Sequence, residues 1–553
     1  IKMKKIITLL LAALLGLSCL AAGCNKKKVD SGSPETLEVY IYNAGYGYEW
    51  VVKLLDAFAQ EDWVREKYPN LQTDYEKNEV ENYASSMLES SASTNRFEII
   101  FGQNLNKYLG KNGKVEDLTE KVYKAKVPGE DVTVEEKMYD SVRSSNVDPS
   151  VDEAQDAVYY TMTYASGMTG IAYNEDVLVD RLGMKVPNTT DELIAVMKAV
   201  HDKNSTSSKY EGYENTYSLV TYGSSAYTNY MLNTWWAQYE GSDGFANYFS
   251  GYDVNTNSIS AEVVEQKGRF KALSVLENIM SKNNGYTYLS PSSGREAYRQ
   301  VQNMLVMGQG VFMANGDWFD NEMRSFCEGL EQTQGYCDTV KLMKTPVISS
   351  IIDQTPTIEN DAELSALISA IDAGKTALKG EGYDVSQEDF DRILEARVVV
   401  YSIGPGHNAV VPKTAVGKEV AYDFLRYMAT DKANRIYIET TRGASLPFDY
   451  DCKEEDPELF ESLSPMQKER LEYFNNYQAE IDLLPAPQSF PLVLYGGFAA
   501  FKSCADAPGY RFLNGESAGS YATAAEKLYY EDINYWQEDG ARRFLNAVNQ
   551  AGL

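Results

Sequence analysis

The pattern of apolar residues between positions 37 and 101 constrains this chain more than any other feature. Leu37-Glu38-Val39-Tyr40-Ile41-Tyr42 alternates with the period of a strand, a Gly- and Tyr-rich loop covers Asn43 to Tyr48, and Trp50, Leu54, Leu55 and Phe58 then recur at helical spacing. Leu71 to Tyr75 reads as a second strand, Tyr83 to Leu88 as a helix, and Phe97-Glu98-Ile99-Ile100-Phe101 as a buried strand closed by Gly102-Gln103-Asn104. Strand, helix, strand, helix, strand predicts an α/β fold with a parallel sheet covered by helices. Ligands meet such sheets at the loops after the carboxyl ends of the strands. Tyr46 and Tyr48 after the first strand, and Gln103 and Asn104 after a later one, are therefore candidate ligand contacts, with a plain loop role as the competing account.

Beyond this region, Val158 to Tyr164 and Gly170 to Tyr173 read as strands, and Thr190 to Val200 as a helix. Tyr210 to Asp253 is dense in Tyr, Trp, Gly and Asn around Trp235-Trp236, and Val263 to Ile279 is a strong helix. Met304 to Met313 leads into Asn315-Gly316-Asp317-Trp318. Residues 350–395 read as polar and helical, Arg397 to Ile403 as a strand ending in Gly404-Pro405-Gly406-His407, and Val420 to Met428 as a helix. The tail from 455 to 549 is mostly helical in pattern, and no repeat of solenoid period occurs.

The amino terminus carries a separate message. Lys4 and Lys5 precede an almost unbroken apolar run from Ile6 to Leu20, of secretory-signal length and too short for a lasting membrane span. Leu20-Ala21-Ala22-Gly23-Cys24 then resembles a bacterial lipobox, in which the cysteine thiol is diacylated and the chain is cut before it. Residues 1–23 are thus expected to be a signal peptide starting at Met3. Residues 24–36, polar and turn-rich, are expected to be a flexible tether from lipid-modified Cys24 on the outer face of the cell membrane. Removing residues 1–23 takes away three lysines and no acid, so the mature chain would hold 48 basic against 80 acidic side chains, a balance of −32. That excess argues against nucleic acid and against broad docking on anionic lipid.

Four cysteines remain: Cys327, Cys337, Cys452 and Cys504. They are too few for a disulfide scaffold and lack zinc-site spacing. Sequence proximity favours Cys327 with Cys337 if any pair forms, and buried free thiols are the alternative. Only two histidines, His201 and His407, limit metal and histidine chemistry, and His407 reads as a hinge-turn residue. Gly515-Glu516-Ser517-Ala518-Gly519 matches an esterase elbow, but no histidine follows it. Asp253, Asn255 and Asn257 open like a calcium loop, yet Ser258 and Val264 stand where glycine and glutamate are needed. No cofactor or metal is expected.

Five segments, in order, resemble the extracellular solute-binding proteins of ABC importers, in the carbohydrate-binding family that includes maltose-binding protein. They are Val39 to Phe58; Phe97 to Thr119; Thr169-Gly170-Ile171-Ala172-Tyr173-Asn174-Glu175-Asp176 continuing through Gly183 and Pro187 to Leu193; Met307 to Trp318; and Pro412 to Met428 with Gly443 and Pro447. The resemblance implies two α/β lobes joined by crossing strands with the ligand between them. Carried over, lobe one spans 37–163 and 402–450, and lobe two spans 164–401 and 451–553. It also implies no enzymatic activity, a permease partner in the membrane and a monomeric receptor. Extra length at 350–395 and in the tail, and the adjacent tryptophans, depart from the pattern.

A pyranose ring offers an apolar C–H face and a rim of hydroxyls, which aromatic rings and Asp, Asn, Gln or Arg side chains complement. A chain with 41 tyrosines suits such a ligand. By resemblance Trp318 stands where the family stacks a sugar, with Asp317 beside it. Trp235 and Trp236 fall in a region that supplies aromatics, one expected to face the cleft and the other to pack. Arg442 lies near the lobe junction. Receptors for a peptide or polyamine, a lipoprotein that presents ligand to a sensor kinase, and a surface glycan hydrolase are the competing functions.

Overall fold

The computed structural model describes residues 33–89, 96–105, 113–148, 156–206, 216–223, 225–253, 258–259, 262–380, 382–476, 481–490, 493 and 497–551. The signal segment and Cys24 lie outside the described residues, as do Asn255 and Asn257 of the calcium-like run. Among the described residues no helix is long and apolar enough to cross a membrane.

Two five-stranded sheets organise the chain. The first has the order β2 (Gln72–Asn78), β1 (Thr36–Tyr42), β3 (Ile99–Gln103), β11 (His407–Val410), β4 (Met162–Thr163). β1 is parallel to both neighbours, with Thr36 opposite Gln72 and Val39 opposite Ile99, and β11 runs antiparallel to β3 with His407 opposite Gln103. The expected parallel arrangement thus holds for the first three strands, and the sheet becomes mixed where the chain returns at 407. Helix α1 (Glu49–Phe58) follows β1 and buries Trp50, Val51, Leu54, Leu55 and Phe58, the stripe that its spacing requires.

The second sheet has the order β9 (Val340–Met343), β5 (Thr169–Asn174), β8 (Gly310–Gly316), β6 (Tyr217–Thr221), β7 (Thr287–Leu289). β5 and β8 are fully buried strands, apolar along most of their length, covered on both faces as strands inside an α/β lobe must be. Each sheet is flanked by helices, which gives two lobes of the periplasmic-binding-protein kind.

The chain passes between the lobes at 164–168, where β4 gives way to β5, and at 403–406, where β10 (Val399–Ser402) gives way to β11. It passes a third time between helix α2 (Asp431–Thr441), which packs on α1, and helix α3 (Pro465–Asn476), which packs on β9. β10 pairs in parallel with β12 (Asp482–Pro485), and Met168 bridges Ser402 beside it.

Several elements differ from their expected limits. The strand expected at 158–164 shrinks to Met162–Thr163, because Tyr159 bridges Val147 outside the sheet. The helix expected from Val263 starts at Lys267, after a short 3-10 turn over Glu262–Val264. Region 350–395 holds a 3-10 turn and the helices Asp361–Asp372 and Gln387–Val398. Among its described residues the tail is mostly helical, with β12 as its strand, which has no local signal because its partner lies far away in sequence. Cys327 and Cys337 form a disulfide with Cα atoms 5.4 Å apart, and Cys452 and Cys504 are free.

The adjacent tryptophans correct the expectation that one would face the cleft. Trp235 and Trp236 lie on the helix Ser225–Glu240, and both are 0% exposed. Trp235 Nε1 donates to the Pro346 carbonyl (3.1 Å) and Trp236 Nε1 to Gln266 Oε1 (2.7 Å). Trp236 meets Tyr248 and Phe245 edge-on, and Tyr248 and Phe249 in turn contact Phe501, which stacks on Trp536 of the C-terminal region. A fully buried ion pair between Arg269 and Asp532 joins the same region to the lobe. The helix is buried on both tryptophan-bearing sides, by the Pro346 segment at Trp235 and by an aromatic cluster continuous with the C-terminal extension at Trp236.

Candidate functional site

The loops after β1, β3 and β8 converge where the lobes meet. The loop after β1 turns at Gly47 and carries Tyr46, whose hydroxyl donates to Asp317 Oδ1 (2.9 Å) just beyond the end of β8. Tyr46 belongs to the first lobe and Asp317 to the second, so this buried bond spans the cleft.

Asp317 and Arg470 are both 0% exposed, with Arg470 Nε 3.4 Å from Asp317 Oδ2. Ser166 Oγ, on the first crossing segment, donates to the same Oδ2 (3.3 Å). Arg470 also donates to the Gly443 carbonyl (2.7 Å), Ser166 Oγ (2.7 Å) and Ser445 Oγ (2.6 Å). One buried ion pair therefore ties together the first crossing, the third crossing, the end of β8 and the loop after β1. Burial pushes the Asp317 carboxyl above the usual range, while Arg470 and the hydroxyls of Tyr46 and Ser166 pull it back. Asp317 was expected as a ligand contact; its oxygens are engaged by protein groups at the hinge. Arg470 carries no local signal in sequence.

Trp318 follows directly and is 4% exposed. Tyr46, Tyr227 and Tyr230 meet its ring edge-on at centroid distances of 6.1, 6.2 and 6.2 Å, and its Nε1 donates to Tyr227 Oη (3.3 Å). Glycines approach it closely: a Cβ on Gly45 would lie 2.8 Å from Trp318 Cγ, and one on Gly316 would lie 2.2 Å from Cζ3. Only glycine permits these approaches. From Tyr227 the aromatic contacts continue to Tyr222 (5.2 Å) and Tyr298 (6.2 Å). The Tyr-rich stretch thus supplies tyrosines to Trp318, rather than the tryptophans singled out from the sequence.

On the other side of Tyr46 stands His407, at 5.3 Å between ring centroids. Its Nδ1 is 3.2 Å from Tyr164 Oη and its Nε2 3.3 Å from Gln103 Nε2. Burial pushes the imidazole down to about 4, which keeps it neutral at physiological pH. Asn104 takes a left-handed conformation (φ 54°), and its backbone N–H donates to the Gly406 carbonyl (2.7 Å), so the loop after β3 is pinned to the second crossing.

Tyr48 sits apart, stacked on Tyr75 of the edge strand β2 (5.8 Å) with Lys77 Nζ 3.3 Å from its ring centroid. Arg442, left-handed at φ 63° and partly exposed, pairs with Glu328 of the opposite lobe (2.9 Å). The structure therefore brings Tyr46, Gln103, Asn104, Asp317 and Trp318 to one junction, places Tyr48 and Arg442 away from its centre, and removes Trp235 and Trp236 to the core. Among the described residues no group of three or more His, Cys, Asp or Glu side chains is arranged to hold a metal ion.

No family model matches the sequence, and no curated protein matches it. Solved structures do match in fold. The GacH receptor of Streptomyces glaucescens, solved unliganded and with acarbose, aligns over 91% of this chain and 98% of its own at 12% identity, with a TM-score of 0.53. A chitin oligosaccharide binding protein aligns over 90% and 99% at 15% identity, TM-score 0.52. An ABC substrate-binding protein from Listeria monocytogenes in complex with cycloalternan aligns over 90% and 97% at 14% identity, TM-score 0.51. These neighbours are binding proteins, and near-complete coverage of both partners extends the likeness to the whole two-lobed architecture.

Proposed function

We propose that this protein is the substrate-binding component of an ABC importer, that it captures a carbohydrate, specifically an oligosaccharide, between its lobes, and that it is held on the outer face of the cell membrane through Cys24. The observation that carries the reading is the aromatic enclosure of Trp318 at the lobe junction, within a fold shared with proteins solved with acarbose and cycloalternan. Trp318, Tyr46, Tyr227 and Tyr222 supply flat and edge surfaces for sugar C–H groups, and Gln103 and Asn104 supply amides for hydroxyls.

With Gly45 and Tyr46 against it, the tryptophan is reached by a sugar only when the lobes separate. Ligand contacts to both lobes then favour the closed form by their differential affinity for it. Asp317 and Arg470 act at the pivot of that motion, and Arg442 acts at its rim.

A thermal-shift panel of malto-, chito- and other oligosaccharides, with peptides and polyamines alongside, tests the substrate class; stabilisation only by peptides or polyamines would replace it. A reducing-end assay after incubation separates receptor from hydrolase, because a receptor returns its ligand intact. Trp318→Ala should weaken binding of the best panel sugar roughly thirtyfold, the typical loss for a binding hot spot of about 2 kcal/mol. Because the ring also packs between the lobes, the same variant should lower stability; unchanged affinity would remove Trp318 from the site.

A further inference from the structure

The helix that begins at Trp318, Phe319–Gln334, carries two side chains that cross to the other lobe beside the aromatic enclosure. Asn321 Nδ2 donates to the carbonyl of Gly45 (2.7 Å), in the loop after β1. One turn on, Arg324 Nη2 donates to Asn321 Oδ1 (3.1 Å) and to the carbonyl of Thr440 (2.9 Å). Thr440 lies in the last turn of α2, where carbonyls have no intrahelical donor and the helix end favours a cation. Arg324 thus serves across the cleft as the capping group that α2 cannot supply for itself. A further turn along, Glu328 engages Arg442, so the second cation near Arg324 has its own counter-charge. Residues 321, 324 and 328 share one helix face, and the helix is rigidly continuous with Trp318.

We propose that Asn321 and Arg324 form a closure latch: positioning residues that hold the lobes together over the Trp318 seat and set the open–closed balance without touching the ligand. The proposal rests on the two-lobed binding reading but not on the identity of the ligand. Both cross-lobe bonds exist only when the lobes meet, so each favours the closed form alone. The bond from Arg324 is charge-assisted and partly shielded from water, unlike the exposed Arg442–Glu328 pair, so it should dominate. Because the latch residues sit on the helix that starts at the candidate seat, separating Gly45 from Trp318 also breaks the Asn321 bond. Opening the seat and releasing the latch are the same motion.

The test uses the mature chain carrying fluorophores on cysteines introduced at the exposed positions Glu66 and Glu331, one on each lobe, and reads their separation by single-molecule energy transfer with no sugar present. Arg324→Ala should raise the ratio of open to closed molecules about tenfold. Asn321→Ala should shift it the same way by less, and Arg442→Ala by less than twofold. Arg324→Lys, which keeps a cation at the end of α2 but loses the planar fork, should fall between Arg324→Ala and the parent; it also serves if Arg324→Ala fails to fold. Unchanged separations in folded Arg324→Ala and Asn321→Ala, or in Arg324→Lys where Arg324→Ala does not fold, would overturn the latch. Failure of the carbohydrate reading would show instead in the ligand panel and would leave this measurement untouched.

Discussion

Replacing Arg470 by methionine tests whether the buried pair with Asp317 organises the junction. The side chain is 0% exposed and ends among Asp317, Ser166, Ser445 and the Gly443 carbonyl. Methionine fills much of the same volume, so the loss is chiefly electrostatic. Removing one partner of a buried ion pair leaves the other charge uncompensated and costs about 3–5 kcal/mol. The pH dependence follows from the direction of the Asp317 shift. Burial already raises this carboxyl, and loss of Arg470 raises it further, so its folded value stands above its unfolded one. Such a group destabilises the fold where it is forced to ionise, and the penalty fades as protonation neutralises it. The deficit of Arg470→Met should therefore be largest near pH 7 and shrink on acidification. Asp317→Asn added to Arg470→Met should recover part of the loss, with a coupling of about 1–3 kcal/mol, since the amide oxygen still accepts from Tyr46. Urea unfolding followed by circular dichroism at pH 7.5 and 5 measures Arg470→Met, Asp317→Asn and the double variant. A loss under 1 kcal/mol, or a deficit that grows in acid, would refute the assignment of Asp317–Arg470 as the organising pair.

Three further outcomes are expected. His407, held near 4 when folded against about 6.5 unfolded, should withdraw up to about 3 kcal/mol of stability as pH falls from 6.5 to 4; the difference between parent and His407→Gln unfolding free energies should move by that amount, and parallel curves would contradict its burial as a neutral ring. Replacing Cys327 and Cys337 together by serine should lower stability by about 2–3 kcal/mol, the loop-entropy expectation for a short closed loop, read by denaturant midpoint; an unchanged midpoint would show that the bridge adds nothing. Cys24→Ala should remain unacylated and leave the membrane fraction, and its retention there without detergent would sink the anchor.

Elements whose evidence is local are legible in the amino-acid order. β1 and α1 follow from a two-residue alternation and a helical stripe at Trp50, Leu54 and Phe58, and Leu71 to Tyr75 and Phe97 to Phe101 marked the flanking strands within a few residues. The ordered segments through Trp318 and Met428 marked the two-lobed class, which matched structures share at 12–15% identity. What those elements face depends on long-range packing. Nothing in the sequence tells a cleft tryptophan from a core one, and both Trp235 and Trp236 are buried by remote segments, Trp235 bonded to the Pro346 carbonyl and Trp236 set among Phe245, Tyr248 and Gln266. Asp317 looked like a ligand group, and its oxygens are engaged by Arg470, which arrives from the helix that follows the third crossing. β10 found its partner in β12, and Arg324 found Thr440, with no shared local pattern. Periodicity reports which side of an element is apolar, because that depends on residues three or four apart. Which distant segment covers that side depends on how the whole chain closes, and hydrogen bonds between remote residues leave no spacing by which to read them.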